Sequence, residues 1–206
     1  MQALLKFSRG VDWLNTQVGK YVIWLILAST VISGVNAVVR KLFNASSNAF
    51  LEVQWYLFAA SFLLAAGYTL LQGEHVKVDV IASRLSKRKQ IWIDIFGFAC
   101  FLTPVSLAVL WLGVPFFWQA FQTGEMSSNA GGLIRWPVYL MMPLGFGLLL
   151  LQGWSELIKR IAFLQGLIDD PTAKKVEKTA EEDLAEAIRN LAEASKGQSK
   201  KNTLDA

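Results

Sequence analysis

Four apolar stretches, at about 18–39, 50–71, 91–117 and 138–158, fill most of this chain, and each is long enough to cross a lipid bilayer. The hydrocarbon core is ~30 Å thick and a helix rises ~1.5 Å per residue, so ~20 mostly apolar residues suffice. The expected fold class is therefore all-α integral membrane, with four transmembrane helices in residues 1–170 and a soluble tail over 171–206. Composition agrees, since 53% hydrophobic residues and eight Trp in 206 do not describe an ordinary soluble domain.

Charge supplies the orientation. Lys77, Arg84, Lys87, Arg88 and Lys89 lie between spans two and three, whereas Arg135 is the one basic residue between spans three and four. Loops rich in Lys and Arg stay in the cytoplasm, so both termini are expected inside, N-in and C-in. Lys6, Arg9 and Lys20 before span one, and Lys159 and Arg160 after span four, fit this topology, while Arg40 and Lys41 run against it. The net charge of +4 is read as a topology signal, and no nucleic-acid partner is expected. Trp13, Trp55, Trp92, Trp118, Trp136 and Trp154 fall near span ends, where indoles favour the headgroup level. A signal peptide cleaved after Ala37 is disfavoured, because the apolar run is longer than the ~7–15 residues of such a core and Arg40 and Lys41 follow it.

The flanking segments carry their own patterns. Leu4, Leu5, Phe7, Val11, Leu14 and Val18 recur at helical spacing with Lys6, Arg9 and Asp12 between them, which predicts either a short interfacial helix or a plain extension of span one. Asn44 to Asn48 and Asn129 to Gly132 read as turns, and Pro137 suits the first turn of span four. Pro104 predicts a tilt or kink in the long third span, and Pro143 a kink in the fourth. Span four is expected to continue through Leu164, Leu167 and Ile168 until Asp169, Asp170 and Pro171 stop it. From Lys174 to Ser195, Val176, Ala180, Leu184, Ile188 and Leu191 outline an amphipathic cytoplasmic helix, free to dock on a partner or to fray.

Few groups are available for chemistry. A haem bundle needs histidines on facing helices, and His75 is the only histidine. A thiol oxidoreductase needs a cysteine pair, and Cys100 is alone. With no phosphate loop or metal-ligand spacing in the sequence, neither an enzyme nor a cofactor is expected. Transport pathways are marked by ionisable groups deep in spans, and these spans hold almost none. Ser29, Ser33 and Asn36 form a polar stripe on span one, read as helix–helix hydrogen bonding. Glu52 and Gln54 open span two from the outside, and His75, Lys77 and Asp79 follow its inner end, too far from Glu52 to share a site. Together with Arg135 and Trp136, these are the candidates for structural or subunit contacts.

The motif Glu52-Val53-Gln54-Trp55-Tyr56, the stretch Ala65-Ala66-Gly67-Tyr68 and the segment His75-Val76-Lys77-Val78-Asp79 resemble the small permease subunit of TRAP transporters, the tripartite ATP-independent periplasmic family. The likeness runs through all four spans, including Ser128-Asn129-Ala130-Gly131-Gly132-Leu133-Ile134-Arg135-Trp136-Pro137. Gln54-Trp55 stands where the family's commonest form has an acidic residue followed shortly by Arg, and this departure resembles a subgroup labelled for mannitol, chloroaromatic or 2-oxo-acid solutes. The resemblance implies a non-catalytic scaffold in the bacterial inner membrane, in contact with membrane lipids. It implies two partners: a large membrane subunit that carries the sodium and substrate sites, and a periplasmic substrate-binding protein that delivers an organic acid. Two other readings stay open from the residues: a homo-oligomeric proton-coupled exporter using Glu52, and a membrane-anchoring adaptor acting through its tail.

Overall fold

The computed structural model describes residues 1–43, 47–73 and 85–171. Helices α1 (Gln2–Phe43) and α2 (Asn48–Gln72) are followed by α3 (Lys87–Gly97), a π-helical turn at Phe98–Leu102, α4 (Thr103–Thr123) and α5 (Trp136–Leu164). The π turn joins α3 to α4, so Lys87–Thr123 runs as one span and four helices are long and apolar enough to cross a membrane. Among the described residues no strand forms, and the single bridge pairs Met126 with Ile134 in the loop before α5.

Local chemistry explains where these helices bend and stop. Pro104 has no N–H to give the carbonyl four residues back, and its ring crowds that turn. The chain answers with the wider π turn, into which the Thr103 hydroxyl donates to the Phe98 carbonyl at 2.8 Å. The break expected at Pro104 is thus a π turn, and Pro137 sits in the first turn of α5 as expected. The end of α5 differs from the expectation. It stops at Leu164, before Leu167 and Ile168, because Gly166 adopts a left-handed conformation at φ 71°. Gly166 N–H donates to Phe163 and Leu167 N–H to Ala162, so the last carbonyls are capped and the helix closes ahead of the aspartates.

Helix α5 is the hub: α1, α2 and the α3–α4 span each pack on it, and α1 also packs on α2. Small residues permit the close approaches. A Cβ on Gly145 would stand 2.6 Å from the Leu63 carbonyl oxygen of α2, and one on Gly19 would strike the Tyr68 ring. Without a hydrophobic drive between helices in lipid, such van der Waals fits and interhelical hydrogen bonds hold the spans together.

Helix α1 is unbroken for 42 residues, roughly 63 Å at helical rise, so residues 2–17 are an extension of span one and no separate short interfacial helix forms. Its buried residues, Ser8, Val11, Asn15, Gly19 and Val22, all lie in its first half. Of the polar residues that read as interfacial, Asp12 bonds to α5 whereas Lys6 and Arg9 stay exposed, and Ile26, Val31, Val35 and Val38 further along the helix are exposed as well. The amphipathic pattern from Lys174 to Ser195, and His75, Lys77 and Asp79, fall outside the described residues.

Candidate functional site

Two polar clusters mark opposite ends of the bundle. At the end where α3 begins and α5 finishes, Gln152, Glu156 and Arg160 recur every four residues and Ser155 and Lys159 line the adjacent row, so one face of α5 carries five polar side chains. Ser8, Asp12 and Asn15, spaced by four and then three residues, share one face of α1. The two rows interlock. Ser8 and Ser155 hydroxyls pair at 2.7 Å, the Ser155 hydroxyl also lies 2.8 Å from Asp12 Oδ1, and Asn15 Nδ2 donates to Gln152 Oε1 at 2.9 Å. Gln152 Nε2 then donates to Asp12 at 2.9 Å and to Glu156 at 3.1 Å.

Charge alternates through this cluster. Lys159 Nζ reaches Asp12 Oδ2 at 3.1 Å and pairs with Glu156, Arg160 pairs with the same Glu156 carboxylate, and Arg160 Nε donates to Asp94 Oδ2 of α3 at 2.9 Å. The Arg160 guanidinium also stacks 4.7 Å from the Phe98 ring centroid in the π turn. Two cations thereby serve three carboxylates and tie α1, α3 and α5 together. The side chains of Glu156 and Arg160 are 7% and 6% exposed, so their charges rest on each other and not on water. Asn15 Oδ1 has no hydrogen-bond partner and faces Gly67 of α2, where any Cβ would collide with it.

Sequence reasoning did not assemble this cluster. Lys159 and Arg160 read as topology signals and Asp12 as part of an interfacial face, and Asp94, Gln152, Ser155 and Glu156 drew no attention. The available signal was the four-residue recurrence of Gln152, Glu156 and Arg160 at the end of an apolar span, which points polar groups at a neighbour.

The second cluster centres on Glu52, 4% exposed in the first turns of α2. Its carboxylate accepts from Leu133 N–H at 2.7 Å, from Asn129 Nδ2 at 2.8 Å and from the Ser127 hydroxyl. All three donors come from the loop between α4 and α5. That loop is further closed by Ser127 N–H to Leu133 and Arg135 N–H to Glu125, while Asn48 Nδ2 and the Tyr56 hydroxyl of α2 donate to Ala130 and Ile134. Arg135 pairs with Glu125 at 3.0 Å and also donates to the Tyr139 hydroxyl and to Ser128. Tyr139 first, and then Glu125, raise the Arg135 pKa above its ordinary value. Trp136 stacks edge-on against Phe121 and Phe117 of α4.

The structure therefore brings Glu52, Arg135 and Trp136 to one end of the bundle. Gln54 stands apart from them: its carbonyl accepts from the Ser29 hydroxyl at 3.3 Å, and its Nε2 is buried with no partner. Of the stripe on α1, Ser29 makes this helix–helix bond, and Ser33 is exposed. The first cluster ties helices together and borders a cavity of about 450 Å³ lined in part by Ser8, Asp12 and Lys159, and the second holds the loop between α4 and α5 in place. No curated protein and no solved structure matches the chain. Residues 29–163 match the sequence model described as tripartite ATP-independent periplasmic transporters, DctQ component. The match covers all or part of each of the four spans and the whole Glu52-bound loop, and on that extent the chain belongs to the DctQ family, the small membrane subunit of TRAP transporters.

Proposed function

We propose that this chain is the non-catalytic scaffold subunit of a sodium-coupled TRAP transporter in a bacterial inner membrane. It assembles with a large membrane subunit that moves the solute, and a periplasmic binding protein supplies that solute, an organic acid or a related compound. One observation carries the scaffold role: the carboxylates Asp12, Glu52, Asp94 and Glu156 near the span ends are bound within the chain itself. Glu52 is held by its own loop, and Asp12, Glu156 and Asp94 are neutralised by Lys159 and Arg160. Buried groups engaged in this way hold a structure in place and are not free to bind and release an ion. The same binding of Glu52 by three loop donors speaks against the exporter reading, which needs that carboxylate free to exchange a proton.

Proteoliposomes containing only this subunit are expected to show no sodium-driven uptake, whereas those with the large subunit, the binding protein and this chain accumulate solute. Uptake by this subunit alone would refute the scaffold role. The proposed N-in, C-in orientation rests on the basic residues between spans two and three. In a Cys100→Ser background, Ser128→Cys should label with a membrane-impermeant maleimide from outside intact cells and Ser86→Cys should not. Labelling of position 86 from outside reverses the topology.

A further inference from the structure

Helices α2 and α3 both pack on α5 but not extensively on each other, and a groove of about 620 Å³ opens between them. Its walls are apolar: Leu70 from α2, Phe98, Phe101 and Val105 from the π turn and its flanks, and Phe146 and Leu149 from α5. Phe101 and Val105 are 64% and 56% exposed, so within this chain the groove is open on its lipid-facing side. The volume falls in the ~300–1,000 Å³ range of small-molecule sites. From Ile93 to Val105 it follows the helix for roughly 18 Å, close to the ~15 Å half-thickness of a hydrocarbon core. That is the reach of one acyl chain lying in its own leaflet.

The groove's end has a sign. Lys87, Arg88 and Lys89 open α3 there, and Lys89 stacks one turn above the groove residue Ile93. Lys87 pairs with Asp170, whereas Arg88 and Lys89 are exposed and make no ion pair among the described residues. The carboxylate in the groove wall, Asp94, is already neutralised by Arg160 at 2.9 Å. A mostly apolar channel of one-leaflet length, whose α3 wall begins about one turn after two cations that make no ion pair among the described residues, is complementary to a lipid with a negative headgroup. It is not complementary to a purely apolar helix.

We propose that this groove binds an anionic phospholipid, with an acyl chain along the π turn between α2 and α5 and the headgroup phosphate at Arg88 and Lys89. Each basic residue near a membrane surface is worth ~1 kcal/mol towards an anionic lipid, about fivefold in affinity. Gly97 lines the groove and a Cβ there meets nothing within 4 Å, so the side chain of Gly97→Leu starts into open space in the channel.

The test uses the full chain purified with its large subunit in mixed micelles of dioleoyl phosphatidylglycerol and dioleoyl phosphatidylcholine, with retained lipid counted by native mass spectrometry. Phosphatidylglycerol should be retained in preference. The preference should fall about fivefold in Arg88→Gln and again in Lys89→Gln, and Gly97→Leu should lose the bound lipid while the subunits still co-purify. A benzophenone at Phe101 should crosslink lipid. Equal retention of both lipids, a preference untouched by the two Gln variants, or crosslinking of Phe101 to the large subunit each overturns the proposal.

Discussion

Arg160→Ala should be the most damaging single change in the described bundle, lowering stability by about 3 kcal/mol, because it removes the cation shared by Asp94 and the buried Glu156, which keeps only Lys159. Glu156, whose side chain is 7% exposed, and Asp94 lose the guanidinium that serves both. Thermal unfolding of the purified complex should show a large drop in midpoint. The physical cause separates from a mere packing loss in a second variant. Arg160→Met combined with Glu156→Gln and Asp94→Asn removes the arginine with both of its carboxylates, leaves Lys159 paired with Asp12, and should recover most of the lost midpoint, since replacing a buried ion triad by neutral groups of similar volume is often close to neutral. A triple variant no more stable than Arg160→Ala would mean that the arginine acts through its stacking on Phe98 and not through charge.

The second large effect is expected at Glu52. One carboxylate collects three donors from the loop between α4 and α5, so Glu52→Ala removes every bond that α2 makes to that loop through this side chain and leaves Leu133 N–H and Asn129 unsatisfied. Glu52→Gln keeps one acceptor oxygen, so its effect should be intermediate. A spin label at Ala130→Cys in a Cys100→Ser background should report a loop that is immobile with Glu52, looser with Gln and mobile with Ala. Co-purification of the large subunit should fall in the same order, with the sodium dependence of uptake unchanged in complexes that still assemble. An immobile loop in Glu52→Ala, or a shifted sodium dependence with normal assembly, would return Glu52 to a coupling role.

These two positions show how sequence and structure divide the account. Span number was legible because hydropathy belongs to each segment separately: among the described residues Gln2–Phe43, Asn48–Gln72, Lys87–Thr123 and Trp136–Leu164 are the four helices long and apolar enough to cross a membrane. Pro104 and Pro137 were legible for a similar reason, since a missing N–H acts within one turn of its own position. Family likeness was carried by local motifs such as Glu52 to Tyr56. The left-handed stop at Gly166 was also local, but it was masked by the apolar Leu167 and Ile168 and by the stronger signal of Asp169 to Pro171.

What the tertiary structure decided was which polar groups meet. Glu52 reads along the chain as an outward charge awaiting another subunit, and only the approach of a loop some 75 to 81 residues away turns it into an internal anchor. Lys159 and Arg160 likewise serve as topology signals in one dimension, and become ion-pair partners inside the bundle, Arg160 buried and Lys159 partly so, once α1 and α3 dock on α5. Helical periodicity says that Ser8, Asp12 and Asn15 share a face, but the face's destination depends on the helix beside it. In a membrane that choice lies between headgroups and a neighbouring polar row, and burial against Gln152, Ser155 and Lys159 gives those side chains partners, Asn15 Oδ1 excepted, without breaking the 42-residue helix.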